Sequence, residues 1–146
     1  MKIRVTKEFG FESSHALQGY DGLCSNIHGH SYKLFITIKG TPCEDEKSPK
    51  YGMVMDFADL KAIVRDCILD DFDHALVLQK GSSFARLLCN AETKTLFVPY
   101  RPTCENMLLD FVAKISKRLP TGVDLAEIRL HETATSFAQW VMEDNV

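Results

Sequence analysis

Two stretches of alternation bound what this chain can become. In the first, Ile3, Val5, Phe9 and Phe11 share one parity, while Arg4, Thr6, Glu8 and Glu12 take the other. In the second, Tyr32, Leu34, Ile36 and Ile38 alternate with Ser31, Lys33, Thr37 and Lys39. Successive side chains of a strand point to opposite faces, so each stretch predicts a strand with one face buried. Both run into histidines on the buried parity, provided no bulge intervenes: His15 ends the first, and His28 and His30 open the second. Between His28 and His30, Gly29 leaves the opposite face bare and lets another backbone come close. The turn-rich connection Gln18–Leu23 is wide enough for a hairpin with a long loop.

The rest of the chain supplies helices and a second pair of strands. Asp56 is placed to cap a helix whose apolar side is Phe57, Leu60, Ile63, Val64, Cys67 and Ile68, and Asp70–His74 ends it. A second helix starts at Thr103 as its cap, shows Met107, Leu108, Phe111, Val112, Ile115 and Leu119 on one side, and stops at Pro120 and Gly122. Residues 79–94 read as an extended loop with a helical turn. Thr95–Tyr100 reads as a short strand that its proline pushes towards an edge. Leu125–Thr133 and Ser136–Met142 form a hairpin or one bent strand, with Ala126, Ile128 and Leu130 inward. This order predicts one α+β domain over residues 1–146, an antiparallel sheet with two helices on one face.

A chain of 146 residues, 45% hydrophobic and 25% charged, can bury a core without disulfides or a structural metal. A net charge of −3 and the lack of a basic stripe speak against nucleic acid as a partner. No apolar run approaches the ~20 residues that span a bilayer. Charges interrupt Met1–Glu8, which is unlike a signal peptide. No membrane partner and a cytoplasmic location are therefore expected. The five cysteines, at positions 24, 43, 67, 89 and 104, are odd in number and never spaced Cys-x-x-Cys, so neither a disulfide framework nor a four-thiolate zinc site is expected.

Chemistry concentrates around the histidines. His28 and His30 project to one side of their strand and can chelate one metal ion, to which His15 can add a third nitrogen. Three neutral imidazoles with a further open position are the arrangement of a catalytic zinc site, although copper, nickel or iron would also bind such a set. Without a metal the same residues would be a hydrogen-bonded or surface cluster. Cys24 is either an apolar filler or a thiol that a nearby cation activates. Asp73–His74 is either an ordinary helix end or a proton relay. Glu132 continues the inward parity of Ile128 and Leu130. Unless a bulge turns it outward, such a carboxylate needs a partner, and a ligand with two N–H donors would satisfy it.

Taken together, His15, Cys24-x-x-x-His28-Gly29-His30, Asp73-His74, Pro102-Thr103-x-Glu105-Asn106 and His131-Glu132-Thr133 resemble the 6-pyruvoyltetrahydropterin synthase / 6-carboxytetrahydropterin synthase family. The resemblance covers nearly the whole chain, in order. It implies the tunnelling fold, a four-stranded antiparallel sheet with two helices, in which subunits close a barrel and two trimers stack into a homo-hexamer. It implies Zn2+ on His15, His28 and His30, and Cys24 as the catalytic thiol. Asp73 and His74 would be a proton-transfer pair contributed by a neighbouring subunit. Glu132 would anchor the pterin, with Thr103 and Glu105 near it. His131 and Cys104 depart from the residues usual in the family, and the segment between His74 and Pro102 is longer than in compact members.

The substrate implied is a small-molecule pterin triphosphate, 7,8-dihydroneopterin triphosphate. One site serves two outcomes. Triphosphate elimination with internal redox gives 6-pyruvoyltetrahydropterin, on the way to biopterin. Elimination with carbon–carbon cleavage gives 6-carboxy-5,6,7,8-tetrahydropterin and acetaldehyde, on the way to queuosine and related 7-deazaguanines. The short chain favours the carboxy product. Two other readings stay open at this point: a zinc hydrolase, which gives Cys24 and Glu132 no task, and a pterin- or zinc-binding protein without turnover.

Overall fold

A computed structural model of the chain describes residues 1–146. The two alternating stretches pair as the longest strands, β1 (Ile3–His15) and β2 (His28–Gly40), antiparallel and in unbroken register. That register sets His15 opposite His28 and Ser13 opposite His30. Cross-strand neighbours lie only ~5 Å apart, so pairing alone brings the imidazoles together. Phe9, Phe11, Tyr32, Leu34, Ile36 and Ile38 are buried on the predicted face.

That face is covered by helices. Asp56 accepts a hydrogen bond from the Ala58 N–H at 2.8 Å and starts α1 (Phe57–Val64). The helix runs on through a π-helical stretch, Arg65–Leu69, into a last turn, α2 (Asp70–Phe72). Leu60, Val64, Ile68 and Phe72 are completely buried in the core that these helices share with the sheet. A second long helix follows later, α4 (Cys104–Ser116), and sets Met107, Leu108, Phe111 and Ile115 into the same core. Phe111 meets Phe72 edge-on at 4.9 Å and Phe11 at 6.2 Å, a geometry that adds to what burial alone supplies. Two long helical segments on one sheet face is the expected arrangement.

The sheet itself is larger than expected. It has six strands, with β1 and β2 at the middle and two more on either side. Strands β1, β2, β5 (Val123–His131) and β6 (Phe137–Val141) form the antiparallel four. The expectation of a four-stranded, wholly antiparallel sheet is corrected by β3 (Ala75–Gln79) and β4 (Thr95–Val98), which add parallel strands alongside the last residues of β1. The physical reason lies in Ala75-Leu76-Val77-Leu78, which is apolar on both parities. Val77 enters the main core, while Leu78 packs with Ala16 and Ala85 beneath the short helix α3 (Ser83–Leu88). A strand buried on both faces shows no alternation to read. β4 lies at the sheet edge, as its following proline predicts. No helix is long and apolar enough to cross a membrane.

Candidate metal centre and its surroundings

His15 is only 1% exposed, and its orientation is fixed by the chain around it. Its Nδ1–H donates to the Pro102 carbonyl at 2.7 Å, just ahead of α4. His28 does the same locally, its Nδ1–H donating to the Asn26 carbonyl at 2.7 Å. With Nδ1 protonated in each ring, the two Nε2 atoms keep bare lone pairs, and they face each other at 3.0 Å. His30 completes the group: its Nε2 is buried and has no hydrogen-bond partner. The three ligand atoms lie within 4.8 Å of one another.

Three converging nitrogen lone pairs repel unless a cation sits among them. Tetrahedral ligands at zinc distance stand ~3.4 Å apart, which is the scale of this cluster. Backbone carbonyls hold the outer nitrogens of two rings, as at metal sites where a further hydrogen bond selects the tautomer. The donor set therefore fits a divalent metal ion. Burial pushes the His15 pKa down to about 4, against the raising effect of the Pro102 carbonyl, and neighbouring His28 and His30 lower it further. Burial also lowers His30, with Glu132 opposing. Both rings are thus kept in the neutral, metal-binding form at neutral pH.

Gly29 explains how the strands close up here. A Cβ at that position would stand 3.3 Å from the Ser13 carbonyl oxygen, so any side chain would press β2 away from β1.

Glu132 lies just past the end of β5. The one irregularity in the β2–β5 pairing falls at Ala126, upstream of Ile128, so the inward parity runs intact through Leu130 to Glu132. Its Oε1 stands 3.5 Å from Nε2 of both His15 and His30, and its side chain is 28% exposed. A small cavity of about 110 Å³ opens beside it, lined by Cys104, Glu105, Glu132, Ser136, Phe137 and Ala138. Two carboxylates on one cavity suit a ligand that offers several N–H donors.

Thr103 caps α4, its hydroxyl accepting from the Asn106 N–H at 3.2 Å. Cys104 is buried, donates to the Leu130 carbonyl, and has a thiol pushed up to about 11, chiefly by burial. It stays a thiol at neutral pH. Cys24 sits in the 3-10 turn Leu23–Ser25 that leads into β2, half-buried, with its carbonyl accepting from the Leu17 N–H at 2.9 Å.

Asp73 and His74 are paired at 3.0 Å but stand apart from the imidazole cluster. His74 is the one non-glycine residue with positive φ, at 58°. Its backbone is held there by bonds to Glu12: the His74 N–H donates to the Glu12 carbonyl, and Asp73 accepts from the Glu12 N–H at 2.9 Å. Such strain persists only where surrounding contacts impose it. The His74 ring is 77% exposed and lines an open polar cavity with Glu12, Ser13, Ser14, Gly29, His30 and Ser31, so one cavity touches both His74 and a member of the histidine group.

The alternation had placed Tyr32 simply in the core, and its hydroxyl was missed. That hydroxyl is buried without a hydrogen-bond partner. Its pKa is raised first by burial, then by the charge of Glu132. Its position two residues after His30, on the same parity, was the available signal.

Residues 4–143 match the family model described as 6-pyruvoyl tetrahydropterin synthase. The chain belongs to this family. A relative from Haemophilus influenzae named 6-carboxy-5,6,7,8-tetrahydropterin synthase is 40% identical, over 94% of this chain and 98% of its own. A human relative named 6-pyruvoyl tetrahydrobiopterin synthase is 29% identical, over 90% of this chain and 86% of its own. Among solved structures, 6-pyruvoyl tetrahydropterin synthase from Caenorhabditis elegans aligns with a TM-score of 0.67 at 21% identity, covering 97% of this chain and 96% of that one. An uncharacterized protein from Wolinella succinogenes aligns with a TM-score of 0.77 at 19% identity, covering 97% and 98%. These two likenesses bear on the fold alone.

Proposed function

We propose that this pterin synthase is a zinc-dependent lyase that converts 7,8-dihydroneopterin triphosphate to 6-carboxy-5,6,7,8-tetrahydropterin, acetaldehyde and triphosphate, a step towards queuosine and related 7-deazaguanines. The observation that carries this reading is the 40% identity to a 6-carboxy-5,6,7,8-tetrahydropterin synthase across nearly the full length of both chains. The 6-pyruvoyl alternative has its support in more distant relatives, such as the human protein at 29%.

In this reading His15, His28 and His30 hold the zinc through Nε2. When bound, the ion supplies Lewis acidity towards the hydroxyls of the substrate side chain. Glu132 takes the amino and ring N–H groups of the pterin and sets the side chain in register with the histidines. Glu105, on the same cavity, and Thr103 complete the surroundings of the ring. Cys24, as thiolate, moves a proton on the side-chain carbon skeleton, and His74 handles a hydroxyl proton while Asp73 orients its ring. His74, outside the imidazole group of its own chain, serves the histidine group of a neighbouring copy. A homo-hexamer built as a dimer of trimers supplies such neighbours.

Two treatments test the assignment. Chelation of the metal should abolish consumption of 7,8-dihydroneopterin triphosphate, and zinc should restore it. Cys24→Ala should keep one zinc per chain yet lose at least ~100-fold in turnover, the usual scale for a general acid or base. Full turnover in Cys24→Ala, or activity indifferent to chelation, would overturn the reading.

A further inference from the structure

Tyr32 is held rigidly beside the histidine group. Its ring stacks on Phe11 at 4.9 Å and 7°, and meets His30 at 5.6 Å and His15 at 6.4 Å, both nearly edge-on. The residue is 2% exposed, and its hydroxyl has no hydrogen-bond partner in the protein. Packing does not ask for that oxygen, since phenylalanine would stack on Phe11 equally well. Burying an unpaired hydroxyl disfavours the folded state. Its presence therefore points to a partner that arrives from outside.

The neighbouring orphan is His30 Nε2, two residues away on the same strand face. Two unsatisfied polar atoms on adjacent inward positions mark one binding region. The imidazole offers a lone pair, and the phenol offers a proton. Glu132, 3.5 Å from His30, already accounts for a ligand's N–H donors, so the phenol's complement is an oxygen acceptor.

We propose that the Tyr32 hydroxyl is a substrate-binding group, which donates a hydrogen bond to an oxygen of the hydroxylated side chain that a pterin presents at the histidine group. The inference rests on the pterin reading given above. It assigns Tyr32 to the side chain of the ligand and leaves the ring to Glu132.

The test compares zinc-loaded wild type with Tyr32→Phe. Thermal unfolding is followed without ligand. Affinity is measured by fluorescence for 7,8-dihydroneopterin and for 6-methyl-7,8-dihydropterin, which lacks the side-chain hydroxyls. Tyr32→Phe should unfold at the same temperature or higher, because a buried unpaired hydroxyl is gone. It should bind 7,8-dihydroneopterin about tenfold more weakly, the scale of one hydrogen bond, and the methyl compound unchanged. A lower unfolding temperature with both affinities kept would make the hydroxyl structural and overturn the proposal. Equal loss for both ligands would move the contact to the ring and overturn it as well. Unchanged affinities in the variant would sink Tyr32 alone, whereas a wild type that binds neither compound would remove the pterin reading with it.

Discussion

At the scale of single residues, the candidate metal centre is set by burial and by two carbonyl oxygens. His15 is locked by Pro102 and desolvated, and its pKa falls from 6.5 to about 4. In the metal-free protein the consequence for stability has a definite sign. Between pH 6.5 and 4 the unfolded chain takes up a proton that the folded chain refuses, so stability falls as pH falls through that window. Above it His15 contributes no pH dependence. The full difference is about 3 kcal/mol for a pKa moved from 6.5 to about 4. Denaturant unfolding of metal-free wild type against His15→Gln, from pH 7 to 4.5, measures it. Wild type should lose stability faster than the variant as acid is added, and parallel curves would contradict the account. Cys104 shows the opposite shift from the same cause, a thiol that burial holds protonated near the site.

At the scale of elements, α4 and β1 are coupled through one short segment. Thr103 caps α4, and the carbonyl of the residue before it receives His15 Nδ1–H. Thr103→Ala should destabilise the protein by about 1 kcal/mol, the usual loss for a cap. Fraying that turn should also loosen Pro102, so zinc affinity should drop several-fold. Urea unfolding together with zinc competition against a chromogenic chelator would show both effects. A loss of stability with zinc affinity untouched would break the proposed coupling.

The same elements show how much was legible beforehand. Alternation in β1 and β2 was enough to place His15, His28 and His30 on one face, because register transmits parity along the whole strand. Both helix starts were readable from Asp56 and Thr103. β3 was not, since Val77 and Leu78 are buried on opposite faces and erase the period. Glu132 was legible because the bulge falls upstream of Ile128. The carbonyls that set the ring tautomers could not be read, being contacts of backbone with distant residues. Roles for Cys24, Asp73 and His74 came from family resemblance, and their spacing alone left them open.

At the scale of the whole molecule, the Asp73–His74 pair lies outside the imidazole group of its own chain. The proposed exchange of these parts between copies has a direct test. Cys24→Ala and His74→Ala should each be inactive alone. Unfolded together and refolded as mixed oligomers, they should regain about a quarter of wild-type activity, because about one site in four then draws both parts intact. Mixtures that stay inactive would place thiol and imidazole in the same chain. The product separates the two outcomes, and mass spectrometry of zinc-loaded protein incubated with 7,8-dihydroneopterin triphosphate identifies it. The account predicts 6-carboxy-5,6,7,8-tetrahydropterin with acetaldehyde and triphosphate. Accumulation of 6-pyruvoyltetrahydropterin without acetaldehyde, or return of unchanged substrate, would contradict it.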